Sequence, residues 1–153
     1  MTTQASPEEI RDPATEANRR IRLTSLHLWN EWIEMWNGRP ELARTIVAHR
    51  FTLHLPTPAL VRQETVVSPP DVEQWVAAHR AKFRRLVFQT GCGPFVDVTA
   101  GVVAGPWFAD TSLDGNPRPV CGMDTIAFVE GKVTEYWTIA KEADEVGRWI
   151  SRG

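Results

Sequence analysis

Four side chains in this sequence could move a proton at a shared site: Asp124, Glu135, His54 and Asp97. Asp124 lies in the run CGMDTIAFVEGKVTEYW, residues 121–137. Strand alternation puts Asp124, Ile126 and Phe128 on one face and Met123, Thr125 and Ala127 on the other. A carboxyl group beside Ile and Phe is desolvated, which favours its protonated form and raises its pKa. Carboxyls perturbed in this way serve as general acids and bases near neutral pH. The competing reading of Asp124 is a strand-end carboxylate bonded to backbone amides or paired with an arginine.

Glu135 alternates with Val133 and Trp137, so it too is expected to face inward. Two acids in one cavity would repel, raising one pKa and separating acid from base; the other role for Glu135 is to brace the interior. His54 can shuttle protons near neutrality. Alternation, however, sets it on the face opposite Phe51, Leu53 and Leu55. Asp97 shares a face with Phe95, Thr99 and Trp107 provided that Gly101 and Gly105 do not shift the register. Trp107 and Trp137 could wall a pocket for a flat molecule or simply fill a core. Trp32, with Trp29 and Trp36, is expected in the core, one of the three closing the base of the pocket.

The elements that must position these groups are legible in the spacing. Asp12-Pro13 starts a helix in which Leu26, Trp29, Trp32, Ile33 and Trp36 recur every three or four residues, ended by Asn37-Gly38. Ser6-Pro7-Glu8-Glu9 offers a capping box for one earlier turn. A short helix is expected over Glu41–His49 and a strand over Phe51–Leu55. Residues 56–70, with four prolines, read as a loop. A third helix is expected from an Asp71 N-cap to about Arg85, burying Val72, Trp75, Val76, His79 and Phe83. The remainder reads as β-structure: a strand Leu86–Thr90, a long strand Phe95–Phe108 broken by glycines, a loop over 109–119, and a hairpin of 120–129 with 132–140 about Glu130-Gly131. A terminal helix is expected over Glu142–Ile150. Three helices followed by an antiparallel meander make an α+β domain.

The composition narrows the partners. The 153 residues suit one domain, with residues 1–12 a flexible N-terminus and 13–153 the folded unit. Seventeen basic and 19 acidic residues are interspersed without a basic stripe, which argues against nucleic acid. No apolar run reaches the ~20 residues of a membrane span. The polar, acidic N-terminus resembles neither a signal nor a transit peptide, so a cytoplasmic location is expected. Cys92 and Cys121 are then free thiols, and neither carries a nucleophile signature. No metal-ligand spacing and no phosphate-binding glycine loop is present, so no metal and no cofactor is expected.

The tryptophan-rich first helix ending WNGRPELA, the strand FTLHLP, the helix DVEQWVAAHRAKF with the following LVF, and above all GMDTIAFVEGKVTEYW carry a family resemblance. Over about residues 20–140 the chain resembles the nuclear transport factor 2-like superfamily, in its SnoaL-like polyketide cyclase branch. The resemblance implies a cone-shaped curved antiparallel sheet with about three N-terminal helices on its concave face, a pocket inside the cone, and a homodimer. It also implies that Asp124 is the catalytic acid-base, and that Tyr136, facing away from Trp137, lies on an outer, dimerising surface. The function expected is cofactor-independent proton transfer on a small hydrophobic molecule by an isomerase, aldol-type cyclase or lyase. Asp124 would move the proton, assisted by His54 or Glu135, with Trp107, Trp137, Phe128, Ile126, Asp97 and Trp32 around the ligand. The alternative is a ligand-binding or dimerisation module of the same fold, since one scaffold hosts many functions.

Overall fold

The computed structural model describes residues 13–55, 63–112 and 115–142. Helix α1 (Pro13–Trp36) buries Ser25, Leu28, Trp29, Trp32, Met35 and Trp36 on one stripe. It stops at Asn37 and Gly38, whose φ of 115° only glycine adopts readily. Asn37 then bonds the backbone of Phe88 in both directions, its Nδ2 donating at 3.0 Å and its Oδ1 accepting at 2.7 Å. Arg80 bridges the same region, donating to the carbonyls of Trp36 and Leu86.

The second helix is shorter than the spacing predicts. A 3-10 turn over Pro40–Leu42 leads into α2 (Ala43–Ile46), and strand β1 (Val47–His54) begins at once. The prolines around α3 (Pro69–Ala81) also correct the expected boundary. Ser68, not Asp71, is the N-cap, with Pro69 and Pro70 in the first turn, where a missing N–H does no harm. Asp71 completes the cap by accepting from Ser68 Oγ at 2.7 Å, a reciprocal capping box.

Among the described residues, six strands form one open, mixed sheet in the order β1-β6-β5-β4-β2, with β3 also on β4. These are β2 (Arg85–Thr90), β3 (Phe95–Asp97), β4 (Val102–Ser112), β5 (Pro117–Val129) and β6 (Lys132–Glu142). The pairings are antiparallel except that β1 runs parallel to β6, which the expected antiparallel meander did not include. The expected long strand from Phe95 is instead a hairpin, because Gly101, at φ 66°, reverses the chain between β3 and β4. The expected loop over 109–119 is largely strand, since Ala109–Ser112 pair with Pro117–Val120. The β5–β6 hairpin stands as expected: Glu130 and Gly131 have φ of 51° and 74°, the twist a two-residue hairpin favours. The Ser6 capping box, residues 56–62 and the terminal helix after Glu142 lie outside the described residues.

The core lies between α1, α3 and the inner face of this cone-like sheet. There Trp29, Trp32, Val72, Val76, Val103, Ile126 and Val133 are all closed to solvent.

Candidate active site

Asp124 stands at the centre of that inner face, 4% exposed. Its alternation with Ile126 and Phe128 holds, all three being buried while Met123 is exposed. The cross-strand neighbours of Asp124 are Gly105 on β4 and Thr138 on β6. Thr138 Oγ1 donates to Asp124 Oδ1 at 2.8 Å, and Trp107 Nε1 donates to the same oxygen at 2.8 Å.

Two glycines make this arrangement possible. Trp107 pairs with Gly122, which precedes Asp124 by two residues on the same face. A Cβ at 122 would stand 2.5 Å from Trp107 Cζ2, so the missing side chain is the space in which the indole lies to reach the carboxyl. A Cβ at 105 would stand 2.7 Å from Trp29 Cζ2, so Trp29 occupies the corresponding gap beside Asp124. Gly105 was readable as a bend in a strand and Gly122 carried no such reading; that each seats an indole was not legible in the sequence.

Burial pushes the Asp124 carboxyl up from an ordinary 3.8 to about 6, against the opposing pull of Thr138, Trp107, Tyr136 and Trp32. Trp32 comes close enough to favour the carboxylate, yet its Nε1–H lacks a hydrogen bond of full geometry. The Tyr136 hydroxyl is raised well above 10, first by burial and then by the nearby Asp124 charge, and so stays protonated.

Tyr136 is therefore an inner-face residue, 3% exposed, and not an outer dimer contact. The reason is a β-bulge. Ala127 pairs with Glu135 but Phe128 pairs with Val133, leaving Thr134 as an extra residue. Val133 faces in before the bulge, and Tyr136 and Thr138 face in after it. Glu135 and Trp137, expected inside by strict alternation from Val133, are turned to the outer face. A one-residue shift moves every following side chain to the opposite side. No local sequence signal in KVTEYW marks the bulge.

His54 joins them there. Its Nε2 lies 3.0 Å from Glu135 Oε2, and its ring stacks on Trp137 with centroids 4.6 Å apart and planes 4° from parallel. The expected group of Asp124, His54 and Glu135 is thus divided by the sheet: Asp124 on one side, the other two together on the other. Asp97 is not brought to Asp124 either. It is exposed on β3, and its Oδ1 accepts from Ala100 N at 2.9 Å, capping the turn that Gly101 completes. Of the expected ligand residues, Trp107, Ile126 and Phe128 share the inner face with Asp124 and Trp32 meets it from α1; sequence reasoning missed Tyr136 and Thr138. Among the described residues, no three His, Cys, Asp or Glu side chains stand together as a metal site would need. No helix among them is long and apolar enough to cross a membrane.

A curved α+β sheet around a buried acid defines the class by its fold, which is the one shared by solved structures described as SnoaL-like and ketosteroid isomerase-like. Neither a family model nor a curated protein sequence matches the chain. Solved structures do. A SnoaL-like polyketide cyclase from Agrobacterium tumefaciens strain C58 is 12% identical at a TM-score of 0.60, over 80% of this chain and 94% of that one. A loop-truncation variant of IdmH is 18% identical at 0.62, over 83% and 98%. A protein of ketosteroid isomerase-like fold from Catenulispora acidiphila, in complex with trimethylamine, is 13% identical at 0.62, over 73% and 83%. At these identities the likeness is one of fold.

Proposed function

We propose that the protein is a cofactor-independent acid-base enzyme, an isomerase, aldol-type cyclase or lyase, in which Asp124 moves a proton on a small hydrophobic carbonyl compound. The observation that carries this reading is a single carboxyl group buried among aromatic rings, held through one oxygen and poised at about 6. Oδ2, which neither Trp107 nor Thr138 engages, takes the proton from a carbon next to a carbonyl. The electron pair passes to the carbonyl oxygen, giving an enolate. The enolate carbon then attacks a second carbonyl of the same molecule, or is reprotonated elsewhere, and the carboxyl returns its proton. Tyr136, kept neutral by burial, supplies an O–H beside the developing charge. Neighbours of the same fold described as polyketide cyclases or isomerases are consistent with this class of reaction.

The test is proton exchange. Bicyclic ketones such as 1-tetralone are incubated with the protein in D2O, and loss of the α-C–H signal is followed by NMR. Exchange above the buffer rate is expected, rising with pH through about 6 as the carboxylate forms. The His54→Ala variant should behave as wild type, because that ring is on the far face of the sheet. A rate equal to buffer across such ketones, or one lost with His54, would overturn the assignment.

The proposed partner of the outer face is a second copy of this chain. Met123 and Ile139 pair across β5 and β6 there, and Phe95, Phe108 and Trp137 are exposed around them. Contiguous exposed apolar side chains of this size mark association surfaces. Sedimentation should show a dimer that Ile139→Glu converts to monomer; a monomeric wild-type protein would refute the arrangement.

A further inference from the structure

Among the described residues, four indole N–H groups, those of Trp29, Trp32, Trp36 and Trp75, are closed to solvent and make no hydrogen bond of full geometry, although that of Trp32 lies towards Asp124. Buried donors are almost always paired, and a donor left without an acceptor costs free energy. Three of the four belong to one continuous aromatic wall. Trp36 meets Trp75 at 5.1 Å, Trp75 meets Tyr136 at 6.1 Å, and Tyr136 meets Trp32 at 4.7 Å. The contact between Trp36 and Trp75 is edge to face and offers neither N–H a lone pair. The wall ends at Asp124, which both Tyr136 and Trp32 approach. Thr138 and Trp107 both donate to its Oδ1. Asp124 Oδ2 remains for Tyr136 and Trp32, whereas the N–H groups of Trp36 and Trp75 have no acceptor among the described residues, so donors outnumber acceptors along the wall.

We propose that Trp32, Trp36 and Trp75 are ligand-binding residues whose N–H groups receive the carbonyl or ring oxygens of a planar, acceptor-rich, donor-poor molecule stacked against the aromatic wall. A phenol or alcohol of the same outline would bring further donors to a site already full of them. A ketone or enone brings the lone pairs that are missing. The inference deepens the proton-transfer reading and rests on it for setting the ligand over Asp124, but the donor match itself concerns binding alone.

The experiment uses the full chain with 15N-labelled tryptophan. Chromone, flat with two acceptor oxygens and no donor, is titrated against naphthalene, of similar outline without oxygen, and 1-naphthol. Individual Trp→Phe variants assign the indole signals and report folding by the dispersion of the rest. Chromone is expected to bind roughly tenfold tighter than naphthalene, the worth of one to two hydrogen bonds. It should also move the N–H signals of Trp32, Trp36 and Trp75 downfield. Trp75→Phe and Trp36→Phe, which keep a ring but lose the N–H, should each reduce that preference while naphthalene still binds. Equal affinity for chromone, naphthalene and naphthol would overturn the proposal, as would shifts confined to the exposed Trp137 or no saturable binding of any probe. Asp124→Asn separates the two readings. Chromone preference kept while exchange is lost supports both. Exchange lost from a protein that never preferred chromone defeats the donor match alone, and exchange unchanged by Asp124→Asn with preference intact defeats the proton-transfer reading alone.

Discussion

Asp124→Asn is expected to lose ~10²–10⁴-fold in turnover, the usual worth of a general acid-base group, and to gain stability at the same time. An ionised carboxylate in the core is a liability. The displacement of its pKa from 3.8 to about 6 corresponds to about 3 kcal/mol. The sign follows from proton binding. Below 3.8 the folded and unfolded chains are both protonated at this group, and the penalty is absent. Between 3.8 and about 6 the folded state holds the proton more tightly, so stability falls as pH rises. Above about 6 the full penalty is present. Asparagine can retain an Oδ1 acceptor for Thr138 and Trp107 but carries no charge. Thermal unfolding at pH 8 should therefore show the variant higher in Tm by roughly 6–12 °C, at about 2–4 °C per kcal/mol for a chain of this size. At pH 4 the two proteins should nearly coincide. A variant that is no more stable than wild type at pH 8 would mean that the carboxylate is not strained by its surroundings.

The second large effect is expected from a residue without a side chain. In Gly122→Ala the new methyl group would collide with the Ile139 carbonyl oxygen and the Trp107 ring. The ring can be displaced only by withdrawing its N–H from Asp124, and the carbonyl belongs to the paired strand. Overpacking of a dense interior costs about 1–3 kcal/mol, here at the upper end because backbone must move. The variant should lose roughly 6–12 °C in Tm, and the Asp124 pKa should rise further as one of its hydrogen bonds is lost. The side-chain carboxyl signal of Asp124, followed by NMR against pH, reads that shift directly. Gly105→Ala provides the contrast. Its nearest obstacle is the Trp29 ring, so Trp29→Phe should restore much of the stability, whereas no substitution of Trp107 should fully rescue Gly122→Ala. If Gly122→Ala folds with unchanged Tm and an unchanged Asp124 titration, the indole does not need that space.

The hydrophobic spacing of this sequence was enough to determine the order of its main elements, the long first helix and its stop at Gly38, the β5–β6 hairpin, and the inward face of Asp124. Each of these follows from short-range chemistry: apolar residues every three or four positions, a glycine where φ must be positive, two turn residues between alternating strands. The composition of the inner face of β5 also carried the desolvation of Asp124, because Ile126 and Phe128 stand next to it whatever the rest of the chain does.

What surrounds Asp124 was decided elsewhere. The bulge at Thr134 arises where β6 must register with β5 on one side and β1 on the other, and no residue in KVTEYW announces it. It exchanged Tyr136 for Glu135 and Trp137 on the inner face, and sent Glu135 to the outer surface with His54. Asp97 was likewise displaced by a hairpin at Gly101 that reads locally as a bend. The partners of the carboxyl come from two neighbouring strands, β4 and β6, and the first helix, brought together only when the sheet curls over α1. Alternation along one strand says which side a residue faces for as long as the register holds. Whether the register holds, and which indole settles into which missing side chain, depends on the neighbouring strands and on close packing, which only the assembled sheet supplies.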